Sequence, residues 1–95
     1  MREDENLYGD EYKYIEKVLK RENIPYTEEE PGFGNWIKLR IGKYVIEDGV
    51  YTMDLRDDSL KYTPESFLYQ FDTYEHDAHQ SDVEEMIKIL KEALG

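Results

Sequence analysis

His76 and His79 are the one cluster of residue types in this sequence that commonly bind metal. The two histidines are three positions apart, so on one turn of helix their imidazoles would face the same side, as zinc ligands do. The run from residue 75 to residue 80 also has the composition of a polar linker before a helix. We therefore treat His76 and His79 as weak metal candidates and expect no cofactor.

The sequence contains few other motifs of catalytic or ligand-binding sites. The sequence has no P-loop, no dinucleotide-binding fingerprint and no nucleophile elbow. It contains no cysteine, which excludes disulfides and thiolate metal sites. We expect no enzymatic activity. A small metal-binding protein or enzyme centred on His76 and His79 is the alternative from another functional class.

Charge is the strongest functional signal. The 95 residues include 23 Asp plus Glu and 12 Lys plus Arg, a formal net charge of -11. The excess is concentrated: residues 1–11 carry -4, 28–30 carry -3, 47–58 carry -4 and 72–85 carry -6, while the remainder is net positive. Crowded like charges repel one another at a cost in stability. These acidic residues either keep the protein soluble and interact favourably with helix dipoles, or they bind a basic partner.

Carboxylates can imitate nucleic acid. Duplex DNA carries one charge per about 1.7 Å of axis, and acids three or four positions apart on a helix stand about 5 to 6 Å apart. Such a surface would occupy the Lys and Arg groove of a protein that handles nucleic acid, with fast, salt-dependent association. The predicted partner-binding residues lie in the last two acidic blocks and outside the predicted element cores: Asp54, Asp57, Asp58, Asp72, Glu75, Asp77 and Asp82.

Two helices and a group of strands must position these residues. Tyr12, Ile15 and Leu19 predict an amphipathic helix over residues 10–22, capped by Asp10 and ended near Asn23. Ser81, with Glu84 three residues later, predicts a capping box. A terminal helix then presents an apolar stripe of Val83, Met86, Ile87, Leu90 and Leu94.

Residues 37–55 alternate between apolar and polar, which is typical of strands. Gly42-Lys43 and Asp48-Gly49 are predicted as two-residue hairpin turns. The first turn places Ile41 opposite Tyr44 and Leu39 opposite Ile46. The second places Ile46 opposite Tyr51 and Tyr44 opposite Met53. This register gathers the apolar side chains on one face.

Residues 64–74 fit either a strand or a helix that starts at Pro64, and their aromatic content favours a strand. The prediction is one α+β domain over residues 1–95. It has a three- or four-stranded antiparallel meander with an N-terminal and a C-terminal helix packed on one face.

The opposite sheet face is a second candidate surface. Alternation predicts that Trp36, Lys38 and Arg40 point away from the helices, as a secondary partner-binding patch. The patch would then pair with the acidic blocks of a second subunit in a homodimer, unless the N-terminal arm and residues 60–71 cover it.

Several partners and locations are disfavoured. The apolar stretches are far too short to span a bilayer, and the first 30 residues contain no signal peptide. Anionic headgroups and phosphates would repel the surface, so we expect neither membrane nor direct nucleic-acid binding. The expected location is the cytoplasm.

In size, charge and element order the chain resembles the small acidic inhibitors that phages make against host defence, the anti-CRISPR and anti-restriction proteins. One such family runs helix, three strands, then helices. This resemblance implies a protein target and no catalysis, but no motif carries over a binding residue. Immunity proteins that neutralise nuclease toxins are similar by the same criteria and are the alternative within the binding class.

Overall fold

The computed structural model describes residues 5–95. Helix α1 spans Glu11–Arg21 and helix α2 spans Gln80–Leu94. The strands are β1 (Thr27–Glu29), β2 (Asn35–Ile41), β3 (Tyr44–Gly49), β4 (Thr52–Asp57) and β5 (Phe67–Asp72). They form one antiparallel meander in the order β1-β2-β3-β4-β5. The predicted α+β class is confirmed, with five strands instead of three or four.

The core lies between the helices and one face of the sheet. Leu39, Ile46 and Leu55 are neighbours across β2, β3 and β4, and all three are fully buried. The helices cover them with the predicted apolar stripes, including Ile15 from α1 and Leu90 from α2, whereas Leu94, predicted in the α2 stripe, is exposed. Burying each such side chain contributes about 1.5 to 3 kcal/mol, so this face is the main source of stability.

The first helix ends where the sequence predicts. Asn23 has a left-handed φ of 58°, and the Ile24 N–H donates to the Leu19 carbonyl at 2.9 Å. This pairing satisfies one of the carbonyls that a helix end leaves open. Asp10 stands at the N-cap position of α1, but its side chain makes no capping hydrogen bond. The predicted cap by Asp10 is therefore wrong.

The two hairpins differ in how well their turns were predicted. Ile41 pairs with Tyr44 and Leu39 with Ile46, as predicted for a turn at Gly42-Lys43. In the next hairpin Ile46 pairs with Leu55 and not with Tyr51, because the turn lies beyond Asp48-Gly49, at residues 50–51. An even shift keeps the apolar strand residues on their predicted face, except Tyr51, which was predicted to face Ile46 but lies in the turn and is exposed. It also extends β3, so Asp48 becomes part of the inner face.

The region after β4 combines both predicted patterns. Pro64–Ser66 forms a single 3-10 turn, and Phe67–Asp72 is the favoured strand.

Helix α2 begins two residues before the predicted start, because Asp82 Oδ2 accepts the His79 N–H at 2.8 Å. The predicted Ser81 capping box is therefore wrong. Glu84 instead joins α2 to α1 by accepting from Tyr14 and Arg21.

Among residues 5–95, no helix combines the length and the apolar character that a bilayer span requires.

Candidate partner-binding site

The acidic block at the end of β4 is largely neutralised within the molecule. Asp58 Oδ1 lies 2.7 Å from Arg56 and Asp58 Oδ2 lies 3.0 Å from Arg40. Asp57 accepts hydrogen bonds from Ser59 and lies 3.7 Å from Lys43 Nζ. These contacts lower the pKa of both carboxyls. Asp57 and Asp58 are thus part of a structural network rather than a free anionic surface.

Asp54 is also unavailable as a free charge. Asp54 is 8% exposed. One of its carboxylate oxygens lacks a hydrogen-bond partner, and Thr52 donates to the other at 3.0 Å. Burial raises the pKa of Asp54 to about 6, with a further contribution from the charge of Glu47. Because the side chain is buried, a cation of a partner protein could not reach it without displacing its neighbours, which makes Asp54 a poor electrostatic contact.

The later acidic block is different. Asp72, Glu75 and Asp77 are exposed, and none forms an ion pair with a Lys or Arg of residues 5–95. Asp72 accepts from the N–H groups of Tyr74 and Glu75, and Asp77 accepts from Asn6. None of the three therefore has a cationic side chain of residues 5–95 beside it. We call Asp72, Glu75 and Asp77 the acidic edge.

Asp82 and His79 contact each other at the start of α2, where the Asp82 carboxylate has a structural role. The Asp82 carboxylate caps α2 through the His79 N–H, and its Oδ2 lies 3.8 Å from His79 Nδ1. His76 and His79 are both exposed. In the part of the chain that the structure describes, no group of three or more His, Cys, Asp or Glu side chains is placed to hold a metal ion.

The basic strip on the outer sheet face is paired internally. Arg40 and Lys38 both contact Glu29, and Arg40 also reaches Asp58. The guanidinium of Arg56, on the same face, lies 5.0 Å from the ring centre of Tyr62. The predicted cationic surface for a second subunit is therefore not free, because the chain's own carboxylates occupy it.

Trp36 does not belong to that face, which corrects the prediction. The pairing of β2 is irregular between Asn35 and Ile37, and this breaks the alternation. The indole instead reaches the helix side, with its ring centre 5.9 Å from that of Tyr12 in α1. Trp36 is 39% exposed and borders a cavity.

This cavity, which we call the acidic-aromatic cavity, has a volume of about 300 Å³. It lies where the segment before α1, the β2 bulge, the β3–β4 turn and the segment after β5 meet. Its lining comprises Tyr8, Gly9, Glu11, Trp36, Val50, Thr73, Tyr74, Asp77 and Ala78. Several bonds hold these segments together, such as Leu7 N–H to the Ala78 carbonyl at 2.7 Å and Thr73 Oγ1 to the Gly49 carbonyl at 2.9 Å.

Two buried acids lie at this end of the molecule. Glu11 is 2% exposed and Asp48 is fully buried, and one oxygen of Glu11 and both of Asp48 lack a hydrogen-bond partner. Burial and then the charge of Glu11 raise the pKa of Asp48 to about 8. The nearby Gly49 N–H opposes this shift but lies outside hydrogen-bond geometry. Burial also raises the pKa of Glu11, as do the charges of Asp10 and Asp77. Asp48 is therefore mostly protonated at pH 7.

The sequence prediction missed both buried acids, although a signal existed. Glu11 precedes Ile15 and Leu19 at helical spacing, and Asp48 continues the alternation of Tyr44 and Ile46. Both acids therefore lie in phase with core residues.

A scan against protein-family models, a search of curated proteins and a search of solved structures each found no match to this chain.

Proposed function

We propose that this protein is a non-enzymatic acidic inhibitor that binds and masks a basic, nucleic-acid-handling surface of a partner protein. One observation carries the proposal: the acidic edge, which no Lys or Arg of residues 5–95 neutralises, borders a cavity whose rim exposes Tyr8 and Tyr74. In our proposal the partner belongs to a defence system or is a nuclease toxin in the cytoplasm.

The physical basis is complementarity in charge and in contact chemistry. Unpaired carboxylates attract Lys and Arg, accelerate encounter and make binding sensitive to salt. Tyr8 is 76% and Tyr74 is 66% exposed, and Tyr74 stacks on Tyr51 with ring centres 5.5 Å apart. Exposed tyrosines are frequent hot spots of protein interfaces. The acidic edge would thus supply steering and the aromatic rim would supply contact area.

In our proposal the binding residues are those of the acidic edge. Asp72, Glu75 and Asp77 remain candidates, whereas Asp57 and Asp58 already have cationic partners. Breaking the Asp58 pairs to reach a partner would remove one carboxylate contact each from Arg40, which keeps Glu29, and from Arg56, which keeps Glu47, at a cost that an external contact must offset.

The test is capture of partners from the native host, followed by direct binding to the purified partner. The inhibitor should compete with nucleic acid for that partner, and the competition should weaken as salt rises. The variant Glu75→Lys/Asp77→Lys should lose binding. The matched control Glu30→Lys/Glu92→Lys makes the same change in net charge at exposed residues without side-chain partners in residues 5–95 and should bind normally.

Equal weakening by both double variants would mean that total charge, not the acidic edge, governs binding. A captured protein that binds without affecting its nucleic-acid contacts would overturn the masking function. If the partner is a nuclease toxin and protection from it tracks binding, the immunity-protein alternative replaces the phage-inhibitor one.

A further inference from the structure

We propose that the acidic-aromatic cavity binds the guanidinium group of an arginine side chain from the partner. This inference rests on the proposed function, because it names the partner group that anchors the complex. The acidic edge would attract the basic surface, and one arginine would enter the cavity beside it.

The first argument is a buried carboxylate without a cation. Glu11 borders the cavity, is 2% exposed, and has one oxygen with no hydrogen-bond partner. Burying an unpaired carboxylate is costly, and the cost falls when a donor or cation meets it. Asp77 lines the same cavity, and its charge raises the pKa of Glu11. An entering cation would meet one buried and one exposed carboxylate.

The second argument is the aromatic lining. Trp36, Tyr8 and Tyr74 contribute to the walls, together with Val50 and Ala78. Aromatic faces attract cations, and a desolvated cation over such a ring gains more than an exposed one. A wholly apolar ligand would leave the Glu11 oxygen unsatisfied, and an anion would be repelled by both carboxylates. Acidic and aromatic groups together therefore select a cation with apolar faces.

Arginine fits this description better than lysine. Its guanidinium is planar, stacks on aromatic rings, presents several N–H donors to carboxylates and is less strongly hydrated than an ammonium group. The volume of about 300 Å³ is at the lower limit of ordinary ligand pockets, which suits one inserted side chain.

The probe is N-acetyl-arginine methylamide, titrated into the isolated protein. The sole tryptophan, Trp36, reports through its fluorescence, and ¹H–¹⁵N spectra locate the binding site. We expect saturable binding with a Kd on the order of 1 mM, as suits a single side chain. The uncharged citrulline analogue should not bind, and the lysine analogue should bind several-fold more weakly.

Glu11→Gln should weaken arginine-analogue binding at least tenfold, whereas Glu30→Gln, which removes an exposed carboxylate elsewhere, should not change it. Asp77→Asn is a second variant, at the exposed rim, and should weaken binding about threefold. Circular dichroism checks that each variant is folded. The spectral shifts should concentrate on Gly9, Thr73 and the Trp36 indole.

Equal binding of the citrulline analogue, tighter binding of the lysine analogue, or no saturable binding up to about 100 mM would each overturn the inference. So would unchanged affinity in Glu11→Gln. These outcomes are separate from the test of the proposed function. A partner that requires Glu75 and Asp77 but ignores Glu11→Gln removes only the arginine anchor, and an arginine-binding cavity without a nucleic-acid-handling partner removes only the masking function.

Discussion

Replacing Asp48 with asparagine removes an acid that the fold buries beneath α1 with no hydrogen-bond partner. Asp48 pairs with Ile37 and Met53 in the neighbouring strands, so apolar residues flank it on both sides. A protonated carboxyl is tolerated there, but an ionised one is not. We therefore expect the wild-type protein to lose stability as the pH rises, and we expect Asp48→Asn to remove most of that loss.

The magnitude follows from the pKa difference. An unperturbed Asp has a pKa of about 3.9 in the unfolded chain, whereas the pKa of Asp48 in the folded protein is about 8. Between these values the folded state binds the extra proton, so the free energy of unfolding falls by about 1.4 kcal/mol per pH unit. Because ionisation in the folded state is half complete at pH 8, the loss from pH 6 to pH 8 is about 2 kcal/mol. Asp54, whose pKa burial raises to about 6, is half protonated at pH 6 and adds about 0.4 kcal/mol to the loss over this range, which Asp48→Asn would keep.

Urea unfolding at pH 6, 7 and 8, followed by circular dichroism and by Trp36 fluorescence, measures this slope. Asp48→Asn should have similar stability at pH 6 and should exceed the wild type by about 2 kcal/mol at pH 8. Glu30→Gln, an exposed carboxylate change, should keep the wild-type slope. A wild-type stability that is constant or increases from pH 6 to pH 8, or an unchanged slope in Asp48→Asn, would refute the argument.

Three further changes test the surroundings of the site. Gly49→Ala should lower the free energy of unfolding by about 1 to 3 kcal/mol in urea titrations, because the added Cβ would lie 2.1 Å from the carbonyl oxygen of Gly34; an unchanged midpoint would contradict this close approach. Asp58→Lys should lower the thermal midpoint more than Glu30→Lys does, because only Asp58 lies between two arginines; equal shifts would argue against the internal network. Glu84→Gln should cost less than about 1 kcal/mol at pH 7, given its partial exposure. Contacts with α1 lower the pKa of Glu84, so its contribution is present above the unfolded pKa and lost as the pH falls through the folded value. Wild type and variant should therefore converge in acid unfolding once the pH falls below the folded pKa, and a constant difference would point to packing instead.

The prediction of the fold from the sequence worked where the signal was local. Alternation placed Leu39, Ile46 and Leu55 on one face, and helical spacing selected the buried side of both helices. The prediction failed where two positions a few residues apart have similar local energies, as for the second hairpin turn and the cap of α2. The three-residue strand β1 was missed because its pairing with β2 is not encoded within the segment itself.

The sequence by itself determined the charge excess, the absence of thiol chemistry and the faces on which apolar side chains gather, because composition and periodicity survive small errors in register. Only the tertiary structure decided which carboxylates stay free. Arg40 and Arg56 come from different strands and meet Asp58 across the sheet, whereas the segment that carries Glu75 and Asp77 folds beside the buried Glu11. Such pairings depend on distances between residues far apart in the chain, which no local pattern specifies.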